Sequence, residues 1–239
     1  MLEKKQMLDL TNVTLITVSS VRIDDTIDAL RHCMKGITFG AVKFITHERP
    51  KNLPPEIEFG QCPKITSLAE YSYYMLFKLK DHVETPYCLT IQQDGVVVHP
   101  RLWQNIFFNY DYIGAPWPEG VFKNSAGEFE RVGNGGFSFR SKKLLELPSQ
   151  LKLPFQGEGS CLHEDTLLCV DYKPILTQHG AVFAGIEVAR HFSHEMAVPE
   201  VKGIKPFGFH KYRKKNKFYH KFPSTFTKIK RFFKSLFKV

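Results

Sequence analysis

The sequence predicts an α/β domain over residues 1–211, built on a mixed, mainly parallel sheet flanked by helices, with a basic amphipathic C-terminal helix over 212–239. Three observations carry this. An apolar β-branched segment, an amphipathic segment and a second apolar segment follow one another within the first 45 residues, the spacing of a βαβ unit. A later apolar segment runs straight into Gln92-Gln93-Asp94-Gly95, and open α/β sheets collect ligands beyond the C-terminal ends of their strands. The five cysteines (Cys33, Cys62, Cys88, Cys161, Cys169) are odd in number and contain no CxxC pair. They read as reduced core residues of a cytosolic protein rather than as a disulfide framework.

Taken in order, residues 13–19 (VTLITVS) read as a buried strand. Asp24-Asp25 then offers an N-cap, and Ile27, Leu30, Cys33 and Met34 space one apolar helix face. Residues 41–45 (AVKFI) make a second strand, and the proline-rich residues 51–63 a loop. Over 67–80, Leu68, Tyr71, Met75, Leu76 and Leu79 fall on one side of a helix. Residues 87–91 form a short strand, 101–108 a short helix and 111–117 (DYIGAPW) a compact turn. A strand is expected at 137–140, a helix start at 142–147 and a helix over 165–171. Residues 181–184 and 187–191 are apolar but too short to assign.

Charge is distributed unevenly. Of 33 basic residues, 13 lie in 201–239, where no Asp or Glu occurs; the remaining 20 face 24 acidic residues, a net of −4 for 1–200. The asymmetry makes the tail the electrostatic contact. From Ser224 on, Phe226, Ile229, Phe233, Leu236 and Phe237 recur at helical spacing, with Lys228, Lys230, Arg231, Lys234 and Lys238 between them. A basic amphipathic helix of this kind suits an anionic bilayer surface. A helix packed on its own domain and a nucleic-acid contact are the other readings, and the acidic body without a binding module speaks against nucleic acid. The N-terminus lacks the apolar run of a signal peptide, and no window reaches the ~18 apolar residues of a spanning helix. The expected location is therefore cytoplasmic, peripheral on the inner membrane.

Three motifs can carry chemistry. In Gln92-Gln93-Asp94, side chains at i and i+2 past a strand can offer an amide oxygen and a carboxylate to a divalent ion on a diphosphate; QxDG also reads as a polar turn. Gly133-Asn134-Gly135-Gly136 lets backbone N–H groups approach a ligand, because no Cβ intervenes; Asn-Gly is equally a hairpin signal. Glu164-Asp165 precedes a helical pattern, so one acid can cap the helix while the other serves as a base. A later polar cluster holds His191, His194 and Glu195 (HFSHE), then His210 beside Lys211. A histidine there can complete a metal shell begun at Asp94, and the lysine can meet a phosphate.

Together, QxD after a strand, YDYIGAPW, GNGGFSFR, the Glu-Asp pair, FSHE and PFGFH resemble a bacterial family of glycosyltransferase-like proteins of unassigned function, over roughly residues 10–211. The wider similarity is to GT-A glycosyltransferases, single α/β domains whose DxD motif holds a metal and a nucleotide diphosphate. The resemblance implies transfer of a sugar from a UDP- or GDP-linked donor to a glycan or lipid-linked hydroxyl. It makes Gln92, Gln93 and Asp94 the DxD equivalent, with glutamine in the first acidic position, and Asp94 with His210 the ligands of Mn2+ or Mg2+. It makes Asp165 the base, with Glu164 beside it in the catalytic pair as an acceptor contact. Trp117, Asn134, Gly135 and Gly136 would form the acceptor side, and Lys211 a donor contact. GT-A topology also points to the end of the first strand, Thr17, Val18 and Ser19, with Arg22, for the nucleotide base. The rival readings are a metal-dependent hydrolase or nucleotidyltransferase using Asp94, Asp165 and His210, and a non-catalytic sugar-nucleotide or membrane-binding protein.

Overall fold

A computed structural model describes residues 7–156 and 162–211; the amphipathic tail expected at 212–239 lies outside the described residues. The chain runs β1 (Leu8–Val18), α1 (Ile23–Cys33), β2 (Ile37–Thr46), β3 (Glu58–Gln61), α2 (Leu68–Phe77), β4 (Tyr87–Ile91) and β5 (Val96–Val97). It continues through β6 (Tyr112–Ile113), β7 (Ala115–Pro116), β8 (Phe122–Lys123), β9 (Phe129–Glu130), β10 (Val132–Gly133) and β11 (Phe137–Ser141). After α3 (Lys142–Gln150) come α4 (Glu164–Thr166), α5 (Lys173–Gln178), α6 (Ile186–Phe192), β12 (Ser193–His194) and β13 (Gly208–Phe209).

The main sheet has the order β3-β2-β1-β4-β11-β6. Its first four strands are parallel, and β11 is antiparallel to both β4 and β6. The mixed, mainly parallel sheet expected from the sequence is therefore present, as are β1, α1 and β2 as one βαβ unit. From Val13 on, β1 is buried on both faces, as β4 is from Cys88, which is why these stretches read as unbroken apolar runs rather than as alternating ones. Three apolar clusters fill the two faces of the sheet: one against α1 and α6, one around Tyr112 and residues 167–176, one under α2.

Local chemistry fixes the helix ends. Ser67 Oγ accepts from Glu70 N, and Glu70 in turn accepts from Thr66 N, so donors at the start of α2 are satisfied from both directions. Ser141 caps α3 in the same way through Leu144 N. Arg22 starts α1 with a left-handed backbone (φ 51°) and no side-chain cap, and Asp24 and Asp25 supply the first-turn negative charge instead.

Several expectations are refined. The loop at 51–63 contains the four-residue edge strand β3, and the compact turn at 111–117 contains β6 and β7. The helix at 101–108 is two 3-10 turns, Pro100–Leu102 and Asn105–Asn109. The helix at 165–171 is one α-turn that widens into a π-turn at Leu167–Asp171. GNGG is not a hairpin: β10 pairs with β7 in one sheet, whereas β11 pairs with β4 in another, so the turn passes between sheets.

Candidate active site

The site forms where β4, the GNGG turn and α4 meet. Gln92 N donates to Gly136 O at 3.0 Å, which fastens the QQD segment to the turn. The fit leaves no space: a Cβ on Gly95 would stand 2.1 Å from Gly136 O. The two central glycines are hemmed in from different sides. A Cβ on Gly135 would lie 2.1 Å from Glu164 Oε1, and one on Gly136 would lie 2.1 Å from His210 Nε2. Asn134 completes the turn with φ 91°, a left-handed backbone in which its own Oδ1 accepts from Gly136 N at 3.0 Å.

The acid pair divides its work. Glu164 is buried, and its Oε1 accepts from Arg140 Nη2 at 2.7 Å. Arg140 also donates from Nε to Ser138 Oγ at 3.0 Å, and that hydroxyl bonds Thr90 Oγ1 at 2.7 Å. Burial pushes the Glu164 carboxyl up to about 7, against the opposing pull of Arg140. Asp165 is half-buried; its Oδ2 accepts from Gly135 N at 3.1 Å and its Oδ1 from Thr166 N at 2.9 Å. These bonds fix the orientation of the Asp165 carboxylate and leave lone pairs on both oxygens.

Across the turn stands a second cluster. His210 is buried, with Nε2 at 3.4 Å from Asp94 Oδ1 and Nδ1 at 3.3 Å from Glu195 Oε1. Lys211 Nζ reaches the same Glu195 oxygen at 2.5 Å. Burial alone would lower the His210 imidazole, but the two carboxylates raise it to about 9. Burial alone would raise Glu195, but His210 and Lys211 hold it down to about 2. Asp94 likewise lies below the ordinary carboxylate range: burial opposes this, His210 causes it, and the Arg22 charge adds to it.

Among the described residues, no group of three or more His, Cys, Asp or Glu side chains forms a self-sufficient metal cage. A two-ligand site is a different matter. Asp94 Oδ1 is buried without a hydrogen-bond partner, and it faces His210 Nε2 while Glu195 backs the other ring nitrogen. A carboxylate behind a ligating histidine is the usual outer support of a metal site. The donor chemistry of Asp94 and His210 therefore fits a hard divalent ion.

A cavity of about 320 Å3 opens between the two clusters. Nine of its lining residues were given a site role from the sequence: Gln92, Trp117, Asn134, Gly135, Gly136, Glu164, Asp165, His210 and Lys211. Thr17, Val18, Ser19, Arg22, Gln93 and Asp94 are not among its lining residues. The β1–β4 register, with Ile16 opposite Thr90, nevertheless sets Thr17, Val18 and Ser19 beside the QQD end of β4. Arg22 spends its charge on Asp25 at 2.9 Å as well as on Asp94. The Gln92 amide is engaged away from Asp94, donating to Tyr71 Oη at 3.1 Å.

Glu195, Arg140 and Tyr71 are site residues that sequence reasoning left without a role. For Arg140 a signal existed: a lone charge between Phe139 and Ser141 in a strand flanked by aromatics demands a buried counter-ion. Glu195 stood in the FSHE cluster, but nothing local tied it to His210, 15 positions on.

The parallel run β3-β2-β1-β4, the antiparallel β11 and a site at the strand C-termini define a GT-A-like α/β protein. The chain belongs to the family described as "Protein of unknown function (DUF5672)", which matches residues 56–210. No curated protein matches it by sequence. Among solved structures it is similar to an active-site mutant of LgtC, with a TM-score of 0.50 and 13% identity over 95% of this chain and 97% of that one. A glycosyltransferase involved in the glycosylation of the major capsid of PBCV-1 gives 0.49 and 13%, covering 83% of this chain and 91% of the other. The apo glycosyltransferase GlyE of Streptococcus pneumoniae gives 0.45 and 10%, covering 94% of this chain, which spans 60% of the length of GlyE. At 13% identity the likeness to LgtC is one of fold alone.

Proposed function

We propose that the protein is a glycosyltransferase that moves a sugar from a UDP- or GDP-linked donor to a hydroxyl of a glycan or lipid-linked acceptor. One observation carries this reading: adjacent glycines place an oriented carboxylate pair on one side of a turn and the Asp94–His210 pair on the other. A group-transfer enzyme needs that juxtaposition of a base with a diphosphate site.

In the reaction, Asp165 takes the proton of the acceptor hydroxyl. The oxygen attacks the anomeric carbon as the bond to the diphosphate breaks, and the anomeric centre inverts. Glu164, held by Arg140, keeps the turn and Asp165 in register. Asp94 and His210 would hold Mn2+ or Mg2+, which when bound supplies charge opposite the leaving diphosphate. Lys211 and Arg22 are further cations near that leaving group, and Thr17, Val18 and Ser19 line its nucleotide side. Trp117, Asn134, Gly135 and Gly136 face the acceptor.

Residues 212–239 act as a peripheral membrane anchor in this reading, on the strength of their sequence pattern. They bring residues 1–211 to lipid-linked or surface-glycan acceptors at the cytoplasmic face of the inner membrane.

The test is consumption of UDP- and GDP-sugars by the full chain, with and without Mn2+. Release of nucleotide diphosphate that depends on Asp165 supports the proposal. If no nucleotide sugar is bound or consumed while vesicle binding persists, the enzyme reading is wrong and the tail is the function.

A further inference from the structure

Residues 111–117 lie directly behind the glycine turn. A Cβ on Gly114 would stand 1.7 Å from Gly133 O, and one on Gly133 would lie 1.9 Å from the Trp117 ring. Tyr112 in β6 is fully buried and pairs with Arg140 of β11, whose guanidinium lies 5.7 Å from the centre of the Tyr112 ring. The Cys169 side chain of the π-turn stands beside the Tyr112 hydroxyl. Burial raises the pKa of that hydroxyl well above the ordinary tyrosine range, so it keeps its proton and acts as a donor.

The hydroxyl donates to Asn134 O at 3.2 Å. That carbonyl belongs to the same peptide as Gly135 N, which donates to Asp165 Oδ2 at 3.1 Å. A trans peptide is planar, with its C=O and N–H aimed in opposite directions, so fixing the carbonyl on one side aims the N–H on the other. This peptide needs fixing. It lies between Asn134, at φ 91°, and a glycine, where rotation about the flanking bonds meets little steric resistance. Turned over, it would present Asp165 with an oxygen instead of a donor.

We infer that Tyr112 is a positioning residue: through the Asn134–Gly135 peptide, its hydroxyl aims the Asp165 carboxylate. The consequence for transfer rests on Asp165 as the base of the proposed glycosyltransferase, whereas the peptide lock does not. The face of the same ring carries Arg140, the partner of Glu164, so one side chain underlies both acids.

The sequence contains a single Asn-Gly pair, so carbonyl-13C asparagine combined with 15N glycine selects that one peptide in NMR of the full chain. Tyr112→Phe keeps the ring and removes the hydroxyl. The carbonyl and amide-proton signals of the pair both move, and exchange of the amide with solvent quickens about five- to tenfold, the worth of one net hydrogen bond. In turnover assays kcat falls about tenfold or more while the donor KM holds, because the base is misaimed and the donor side is untouched. A merely structural hydroxyl would lower the melting temperature and leave the labelled pair and kcat where they were, which overturns the inference. Moved signals with an unchanged kcat overturn it as well. Asp165→Ala is the second arm, decisive where Tyr112→Phe does not fold: the carbonyl signal stays in place if Tyr112 holds the peptide and moves if Asp165 alone orients it. A labelled pair that moves in Tyr112→Phe, in a chain that turns over no nucleotide sugar, sinks the transferase reading and upholds the lock.

Discussion

Arg140 and Glu164 form a buried ion pair at 2.7 Å, with side-chain exposures of 1% and 4%, between strand β11 and helix α4. Removing one partner leaves the other charge buried and uncompensated, which costs about 3–5 kcal/mol. Arg140→Met and Glu164→Leu are therefore each expected to destabilise the protein by that amount in urea denaturation. The double variant should recover much of the loss. Simple additivity of the two changes would show that the pair is not coupled.

Gly135→Ala should destabilise the protein even though its backbone adopts no left-handed conformation. The new Cβ meets the Glu164 carboxylate at 2.1 Å, and that carboxylate cannot retreat while Arg140 holds it. Overpacking of this kind costs about 1–3 kcal/mol. A melting temperature within error of the unsubstituted chain would contradict the packing described.

Asp165→Asn is expected to retain donor binding and lose transfer by at least about 100-fold, the usual contribution of a positioned base. Calorimetry with the nucleotide diphosphate and a turnover assay separate the two effects. Comparable turnover would move the base elsewhere.

Acid should destabilise the fold through His194. The residue is buried, and its Nε2–H donates to Arg190 O at 2.7 Å; burial lowers its pKa to about 4 from an ordinary 6.5. The unfolded chain takes up the proton first, so stability is complete above pH 6.5 and falls as the pH drops toward 4, by up to about 3 kcal/mol. Denaturation midpoints measured across this window should slope downward toward acid. His194→Gln should flatten the slope.

Metal binding at Asp94 and His210 should release a proton, since His210 is held protonated between two carboxylates with a pKa of about 9. Titration of Mn2+ with UDP present, in buffers of different ionisation enthalpy, reads that proton directly. Affinity should rise with pH toward 9 and vanish in Asp94→Asn. Binding of equal strength in that variant would place the ion elsewhere.

How far the sequence alone reached follows from which interactions are local. β1, β2, β4 and β11 were legible because central strands read as apolar runs, and α2 because its apolar residues recur at helical spacing within the segment itself. β3, β6 and β7 were not, being two- to four-residue strands whose existence depends on neighbours. In the site, the glycines and the acids were visible as residue types. Their partners were not: Arg140 lies 24 residues from Glu164, and Tyr71 lies 21 from Gln92. Only the folded register brings them together. Asn134 marks the same boundary, since a hairpin signal was correct about its backbone and wrong about what it connects.

The crowding around Gly135 and Gly136 also constrains how such a site can diverge. Any lineage that admits a side chain at position 135 must first give up the Glu164 carboxylate, and one at 136 must first move His210. The two halves of the site are thus tied to one turn, which has no room for a side chain on either side.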